Sequence, residues 1–277
     1  MKYGSRRFRT LIAGAAVVAV AALAPAPSAT ADRPADRPAD RPAGGHGHGT
    51  YDVLVFSKTA GFRHGSIPDG IAAIERLGAE NGFTVTATED AAVFNDTDLA
   101  AYEAVLWLST TGDVLDAGQQ AAFERYIQGG GGYVGVHAAS DTEYDWPWYG
   151  GLVGAYFAGH PAQQTATVKV HGHNTAATAE LPKRWTRWDE WYSFRDRPAD
   201  SIRVLADLDE RSYDPGPYAM GNPHPIAWCH RYDGGRAFYT GMGHTTESYT
   251  EPEFLSHVLG GIQMVAGVSR FRCEADR

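Results

Sequence analysis

Histidine recurs beside the apolar, β-prone segments of this chain, together with other side chains that can carry a proton or hold a metal. Imidazole titrates near neutrality, so it can act as a general acid or base, and in its neutral form it is a common metal ligand. One histidine beside such a segment is unremarkable, whereas three beside separate segments indicate a functional site. The polar side chains that these segments deliver are Lys58, Arg63, His64 and Ser66, then His137, Ser140, Asp141 and Thr142, and later His224, His244 and Glu247.

Strand-like and helix-like segments alternate through the first half of the chain and predict how those side chains meet. Near-continuous apolar runs are typical of strands buried on both faces, and apolar residues at helical spacing separate them. This alternation predicts a doubly wound α/β sheet, in which ligands bind beyond the carboxyl ends of the strands. The predicted strands cover residues 51–57, 83–86, 104–109 and 132–136, and the helices between them end at Asn81 and Gln128.

The second half of the chain contains strand-like segments with fewer helices between them. They cover residues 165–170, 202–206, 225–232 and 236–240. Antiparallel strands and an extension of the sheet are both compatible with this pattern. At the end, Thr250 to Glu253 have the sequence of a capping box with Pro in the first turn. The apolar stripe from Phe254 to Ala266 then predicts a closing helix packed on the sheet.

The segment from Gly135 to Ala139 has the strand-to-turn layout of a nucleophile elbow, in which small neighbours allow a strained central residue to point into the crevice. Its central residue is His137. Imidazole can act there as a base, metal ligand or electrophile, but it cannot form the acyl intermediate of a Ser or Cys elbow. We therefore expect neither amidase nor esterase chemistry. Gly129 to Gly132 precede a strand instead of following one, so they predict a helix stop and not a phosphate-binding loop.

Aromatic residues are concentrated in two segments, residues 144–157 and residues 185–194. The flat apolar face of a pyranose suits an aromatic plane, and neighbouring carboxylates can bind its hydroxyls. Most of these rings are expected to fill packing positions. Trp146 and Trp148 are the exceptions because they follow the predicted elbow closely, and they predict a carbohydrate-binding site.

The N-terminus has the features of an export signal. Basic residues precede an apolar run from Leu11 to Leu23, and Ala29 to Ala31 supply the small residues of a cleavage site. We predict cleavage after Ala31, which would make the mature chain secreted or extracytoplasmic. The apolar run is shorter than the roughly 20 residues of a spanning helix, so no transmembrane segment is expected in the mature chain. Arg6 and Arg7 leave the twin-arginine and general secretory routes both open.

The domain organisation follows from the composition of the remaining chain. After the signal at residues 1–31, residues 32–49 contain the tetrapeptide DRPA three times and a Gly/His stretch, which predict a disordered linker. One domain is expected over residues 50–269, because its length suits a single core. Residues 270–277 are predicted to form a C-terminal tail.

Charge and cysteine content exclude several classes of protein. The chain carries 33 acidic and 24 basic side chains, a net charge of −9, and removal of the basic signal makes it more acidic still. Binding of nucleic acid is therefore not expected. Apolar residues make up 43% of the chain, which is enough for a core and excludes disorder throughout. Cys229 and Cys273 are the only cysteines, so a zinc site built on thiolates is excluded and one disulfide is left open.

Six motifs are distributed over the predicted domain. They are FRH at 62–64, HAASDT at 137–142, WYGGLVGAYFAGHP at 148–161, DEWYSF at 189–194, HPIAW at 224–228 and GRAFYTGMGHTTESY at 235–249. Each motif alone would be weak evidence. Together they resemble the motifs of the ThuA-like family of trehalose utilisation, a branch of the class I glutamine amidotransferase-like superfamily, and the resemblance covers roughly residues 53–268.

The resemblance implies a flavodoxin-like, doubly wound and mostly parallel sheet in a three-layer α/β sandwich, with a pocket at the strand ends. His137 occupies the position where the amidotransferases keep their Cys, and His244 falls near their catalytic His. Glutaminase activity is therefore not expected. The family is linked to the use of trehalose and related disaccharides, at the level of oxidised keto-sugars, but an export signal favours an extracytoplasmic glycoside over an intracellular substrate.

The leading hypothesis is an enzyme that acts on a small carbohydrate or keto-glycoside as hydrolase, lyase or isomerase. The expected catalytic residues are His137, His244, Asp141 and Glu190. The expected substrate-binding residues are Arg63, His64, Ser140, Thr142, Trp146, Trp148, His160 and His224. His137 and His244 are also candidate ligands of a divalent metal such as zinc, although no HExxH spacing requires one.

Two other hypotheses remain open at this point. His137 stands where an elbow would have its nucleophile, and the loops are rich in tryptophan. Both features are compatible with a secreted sugar-binding or accessory module that does not catalyse a reaction. The predicted tether alone suggests a scaffold or partner-binding protein. The substrate, the reaction and the oligomeric state do not follow from the sequence.

Overall fold

The computed structural model describes residues 50–273 of the chain. The predicted signal peptide with its cleavage site after Ala31, the linker over residues 32–49 and the last residues of the tail lie outside the described residues. Export and tethering therefore stay predictions. No helix within the described part is long and apolar enough to cross a membrane.

Residues 50–273 form eleven strands and five α-helices, joined by loops and short 3-10 turns. The strands are β1 (Tyr51–Phe56), β2 (Phe83–Thr88), β3 (Ala104–Leu108), β4 (Gly132–Val136), β5 (Phe157–Gly159), β6 (Gln164–Val170), β7 (Arg184–Asp189), β8 (Ser193–Phe194), β9 (Arg203–Leu208), β10 (Pro225–Tyr232) and β11 (Gly235–Thr240). The helices are α1 (Ile67–Asn81), α2 (Asp96–Leu99), α3 (Ala117–Gln128), α4 (Pro147–Val153) and α5 (Pro252–Ala266).

Nine of the described strands form one mixed sheet, in the order β2-β1-β3-β4-β11-β10-β9-β6-β7, and β5 pairs with β8 in a separate small sheet. The first five strands of that order are parallel. Their order is that of a flavodoxin-like sheet with β11 as the fifth strand. The other four pair antiparallel with their neighbours. The predicted flavodoxin-like α/β fold is confirmed, and its second half is an antiparallel extension of the sheet.

Helices cover both faces of the parallel half. In β3, Leu108 lies against Gly70 of α1, whereas Trp107 packs on Phe123 of α3. Because successive side chains of a strand point to opposite faces, α1 and α3 lie on opposite sides of the sheet. Helix α5 contacts α1 and packs on β4 and β11. This arrangement gives the three layers that the resemblance implies.

The closing helix α5 forms where the apolar stripe predicts it, but the predicted capping box does not form. The helix begins at Pro252, its N-cap residue is Glu251, and no side chain caps it. The Thr250 hydroxyl donates instead to the carbonyl of Glu247. The carboxylate of Glu251 accepts a hydrogen bond of 2.7 Å from Arg187 of β7. A tertiary contact has therefore replaced the local cap.

The two cysteines form the disulfide that the sequence leaves open. Cys229 of β10 is joined to Cys273, which lies 44 residues later. The bond attaches the segment that follows α5 to the antiparallel half of the sheet.

A buried histidine in α5 makes the fold sensitive to acid. The ring of His257 is fully buried and packs near Trp185 and Phe238. Its Nδ1 lies 2.7 Å from the carbonyl oxygen of Ala177, and its Nε2 has no partner within the described residues. Burial lowers the pKa of His257 from 6.5 to about 4. The folded chain therefore resists protonation that the unfolded chain accepts.

We predict that His257 lowers the stability of the fold as the pH falls from 6.5 to 4. The unfolded residue binds its proton near pH 6.5 and the folded one only near pH 4, so the free energy of unfolding decreases as the pH falls through that window. At 1.36 kcal/mol per pKa unit the loss reaches about 3 kcal/mol. His257→Asn keeps a donor for Ala177 without this titration. In urea unfolding at pH 7 and pH 4, the variant should lose about 3 kcal/mol less than the wild type; equal losses would contradict this role.

Candidate metal centre

Four side chains from distant parts of the chain meet at the ends of the strands. They are His64 after β1, His137 after β4, Glu190 after β7 and His244 after β11, and their potential ligand atoms all lie within 4.8 Å of one another. Nε2 of His137 is 3.1 Å from Nδ1 of His244. Oε2 of Glu190 is 3.4 Å from Nε2 of His137 and 3.1 Å from Nδ1 of His244. We call these four residues the His/Glu cluster.

The backbone and one hydrogen bond orient His137 toward the cluster. Its φ of 51° lies in the left-handed region, at the turn directly after β4. Nδ1 of the ring is 3.0 Å from the carbonyl oxygen of Gly241, which can only accept, so Nδ1 carries the proton. Nε2 faces Glu190 and His244, and in the neutral ring it has the lone pair that a metal ion would use. Metal-binding histidines are oriented in the same way by a carbonyl or carboxylate behind them.

Glu190 supplies the negative charge of the cluster. Burial alone would raise the pKa of this carboxyl, but hydrogen bonds and charges from His137 and His244 outweigh burial and hold the pKa well below its usual range. Its second oxygen, Oε1, lies 3.2 Å from Nδ1 of the partly exposed His160. Glu190 is therefore an ionised carboxylate that links the cluster to a histidine at the surface.

His64 closes the cluster from the side of β1. Its ring lies edge-on to those of His137 and His244, with centroids 4.8 and 5.0 Å away. Burial and then the charges of these two histidines lower the pKa of His64 to about 2. Its buried Nδ1 has no hydrogen-bond partner within the described residues. A neutral imidazole with an unsatisfied nitrogen is the state that a metal ion requires of a histidine.

A buried carboxylate fixes the loop that carries His244. Asp189, at the end of β7, accepts hydrogen bonds from the backbone N–H groups of Gly243 and His244 at 2.8 and 3.0 Å. It also accepts one of 2.6 Å from Arg187. In a flat sheet β7 would lie about 19 Å from β11, four strands away. These bonds therefore bring the far edge of the sheet to the parallel half and place Glu190 beside the histidines.

Asp141 and two tyrosines form another wall near His137. The Tyr144 hydroxyl donates to Oδ1 of Asp141 at 2.6 Å. Burial raises the pKa of Asp141, although Tyr144 and the nearby His137 and His160 oppose this shift. The Tyr192 ring covers His137, with the ring centroids 4.0 Å apart. Asp141 therefore keeps a proton to a higher pH than an exposed aspartate.

Three residues predicted to bind substrate have partners within the protein. Arg63 is exposed and pairs with Glu89 at 2.6 Å. The hydroxyl of Ser140 is buried and lies 2.8 Å from that of Tyr239. The hydroxyl of Thr142 is also buried and donates to a backbone carbonyl in the same turn. These contacts stabilise the turn after β4 and the loop after β1.

Trp146 and Trp148, which the sequence predicts to bind sugar, stack on each other with centroids 5.2 Å apart. The indole N–H of Trp146 donates to Glu124, and that of Trp148 donates to Asp233. Trp146 is buried and Trp148 half-buried. Their contacts are those of packing around α4.

His224 is buried outside the His/Glu cluster. Its Nδ1 lies 2.8 Å from a carboxylate oxygen of Glu210, and its Nε2 lies 2.9 Å from the carbonyl oxygen of Tyr192. Because the Tyr192 ring packs on His137, His224 supports the cluster from behind.

The predicted strands do not include β7, and the support that Asp189 gives the His244 loop is not predicted either. The signal is present, because side chains from Arg184 to Asp189 alternate strictly between exposed and buried positions. Hydrophobicity alone does not show this period of two, because the charged Arg187 and Asp189 lie at buried positions and Trp188 lies at an exposed one. An edge strand with charged residues on its buried face is not recognised as a strand by apolar content.

Fold and cluster together define a flavodoxin-like α/β protein with a candidate metal centre at its strand ends. The ThuA family model, described as trehalose utilisation, matches residues 52–265. The chain belongs to this family, and the resemblance drawn from its motifs is confirmed.

Solved structures agree with this assignment at the level of fold. A ThuA-like protein from Bacteroides uniformis is 22% identical with a TM-score of 0.67, over 83% of this chain and 95% of the other. A ThuA-like protein from Parabacteroides merdae is 18% identical with a TM-score of 0.66, over 82% and 98%. A β-galactosidase from Bacillus circulans is 12% identical with a TM-score of 0.52, over 78% of this chain and 31% of the other. A comparison with curated proteins gives no match.

Proposed function

We propose that this protein is an exported enzyme of carbohydrate utilisation, which acts on trehalose, a related disaccharide or a keto-glycoside with the help of a divalent metal ion. The observation that carries the proposal is the convergence of His64, His137, Glu190 and His244 at the strand ends, with their ligand atoms within 4.8 Å of one another. Membership of a family described as trehalose utilisation supports the sugar as substrate.

The donor set favours zinc or a similar ion. Neutral imidazole and carboxylate groups suit Zn²⁺, and a set without thiolates is typical of catalytic rather than structural sites. Three properties of the cluster fit such an ion: a buried nitrogen on His64 that has no partner among the described residues, a His137 ring that Gly241 orients with Nε2 toward the cluster, and a Glu190 carboxyl whose pKa is lowered. When bound, the ion would act as a Lewis acid on an oxygen of the sugar.

Asp141 is the residue to which we assign proton transfer. Tyr144 occupies its Oδ1, so Oδ2 remains for the proton that is exchanged with the substrate. Burial raises the pKa of Asp141, which is the direction that a group exchanging a proton with the substrate requires. Tyr192 covers the ring of His137 and keeps water from that side. No residue of the cluster can act as the Cys nucleophile of a glutaminase.

Export belongs to the same proposal. The predicted signal peptide would deliver the mature chain, beginning at Asp32, outside the cytoplasm, where it would meet a glycoside before uptake. N-terminal sequencing of the protein recovered from the medium or envelope would find Asp32 first. A protein retained in the cytoplasm with Met1 would contradict this part of the proposal.

The test of the enzyme and of its metal is a comparison of the protein before and after chelation. We expect about one equivalent of a divalent metal per chain by atomic emission. Turnover of trehalose or a keto-glycoside should be lost after chelation and restored by Zn²⁺. Full turnover without metal would refute the metal centre. Saturable sugar binding without any product would favour a sugar-binding module instead of an enzyme.

A further inference from the structure

A cavity of about 300 Å³ opens beside the His/Glu cluster. Its lining comes from the loop after β1, from β7 with the residues before β6, and from the loop after β11. The lining residues that matter here are Ser66, Gln163, Trp188, His244, Thr246 and Glu247. Its volume lies at the lower end for small-molecule sites, which suits a ligand of about one sugar ring.

The cavity and the cluster meet at His244. This residue is the one member of the His/Glu cluster that is only partly buried, with a side chain 17% exposed. It lines the cavity on one side and lies 3.1 Å from Nε2 of His137 on the other. A ligand in the cavity is therefore adjacent to the cluster without an intervening layer of protein.

Trp188 gives this cavity an exposed aromatic face. It lies on the outward side of β7 and is 53% exposed. Phe62 is 67% exposed and its ring lies 4.9 Å from that of His64. Two of the four large apolar side chains exposed within the described residues thus flank the cluster.

Most of the accessible lining is polar, and Trp188 supplies its apolar part. Gln163 and Glu247 are exposed: the amide of Gln163 can donate to or accept from hydroxyls, and the carboxylate of Glu247 can accept from them. The hydroxyls of Ser66 and Thr246 also belong to the lining. A purely apolar ligand would strip water from these groups without replacing its hydrogen bonds. A ligand with one flat apolar face and a rim of hydroxyls satisfies both parts of the cavity, and a pyranose ring has this form.

We propose that this cavity is a pyranose-binding subsite in which the Trp188 indole carries the apolar face of the sugar ring and Gln163 and Glu247 bind its hydroxyls. The subsite holds the ring next to His244, so that the reacting bond lies at the cluster. The inference deepens the proposed function, on which it rests for the identity of the ligand as a sugar. It replaces Trp146 and Trp148 by Trp188 as the sugar-stacking residue.

Calorimetry on the metal-loaded chain tests the subsite with three probes. Trehalose and methyl α-D-glucopyranoside present a ring face, whereas glucitol offers similar hydroxyls without one. Trp188→Ala should weaken binding of both ring probes about tenfold, because a stacked aromatic contributes on the order of one decade in affinity. Trp188→Phe should retain most of the binding, and glucitol should bind poorly to every variant.

Two further variants separate the subsite from general damage. Thr186→Val changes the residue two positions away on the same outward face of β7 and should bind the probes as the wild type does. Gly65→Leu fills the cavity instead, because a Cβ at Gly65 meets no atom within 4 Å. This variant should lose the ring probes while Trp188 is intact. Metal content is measured for each variant and should not change.

The outcomes distinguish this subsite from the proposed function. If metal and turnover are present but Trp188→Ala binds the ring probes as tightly as the wild type, the subsite is wrong and the enzyme proposal stands. If Trp188→Ala and Gly65→Leu lose binding although the wild type shows no turnover, the subsite stands and the enzyme proposal fails. Absence of any binding of the ring probes to the wild type overturns the subsite.

Discussion

Replacing Glu190 by Gln is expected to weaken Zn²⁺ binding about a hundredfold or more while the fold is retained. Glu190 is the one carboxylate of the His/Glu cluster, so it is the one ligand whose negative charge would offset part of the charge of a bound dication. Gln has the same shape but no charge, so the loss would report electrostatics and coordination rather than packing. Competition with a chromophoric zinc chelator measures the affinity, and circular dichroism checks the fold.

Glu247→Gln is the matched control for this change. Glu247 lies in the loop that also carries His244 and lines the neighbouring cavity, but it is exposed and outside the cluster. Glu247→Gln also removes one negative charge, but from a side chain outside the cluster. This variant should alter the zinc affinity by less than about threefold, because exposed charges are screened. If both variants bind zinc as the wild type does, Glu190 is not a ligand.

Arg187→Ala is expected to lower the free energy of unfolding by about 3–5 kcal/mol. The Arg187 side chain is 3% exposed and donates to Asp189, Glu251 and Ser248 at 2.6, 2.7 and 2.8 Å. Its removal leaves the fully buried carboxylate of Asp189 without a countercharge. Since Asp189 holds the backbone of His244, the variant should also bind zinc more weakly. Urea unfolding at pH 7 measures the first effect.

Arg184→Ala provides the comparison on the same strand. Arg184 also pairs with an aspartate, Asp209 at 3.2 Å, but its side chain is 58% exposed. Exposed ion pairs contribute about 0–1 kcal/mol, so this variant should remain close to the wild type in stability. If the two variants lose similar amounts of unfolding free energy, burial of Arg187 does not make its ion pair more stabilising than an exposed one.

The parallel half of the fold is predictable from sequence because both faces of its strands are buried. Strands β1, β3 and β4 are almost wholly buried and appear as continuous apolar runs. Edge strand β7 is different, because its inward positions include Arg187 and Asp189, which bind each other. Their burial depends on partners far away in the chain, and no local pattern indicates it.

The candidate site is predictable to the same extent. Parallel strands end at one edge of a sheet, so His64, His137 and His244 could be expected to meet. Glu190 follows β7, and its position depends on contacts that bring the antiparallel half back to the histidines. Whether a given tryptophan is exposed also depends on tertiary contacts: Trp146 is buried and Trp188 is not. Composition places aromatic rings near a site but does not tell which of them face water.

The left-handed backbone of His137 sets the conformational cost of one turn against the placement of one imidazole. A residue other than glycine costs roughly 1–2 kcal/mol in that conformation, so Gly at this position would relax the turn after β4. Gly would also remove a fully buried ring that packs on Tyr192 and is held by the carbonyl of Gly241, and it would leave a cavity there. A programme that stabilises this scaffold by relieving strained backbone positions should therefore leave position 137 unchanged.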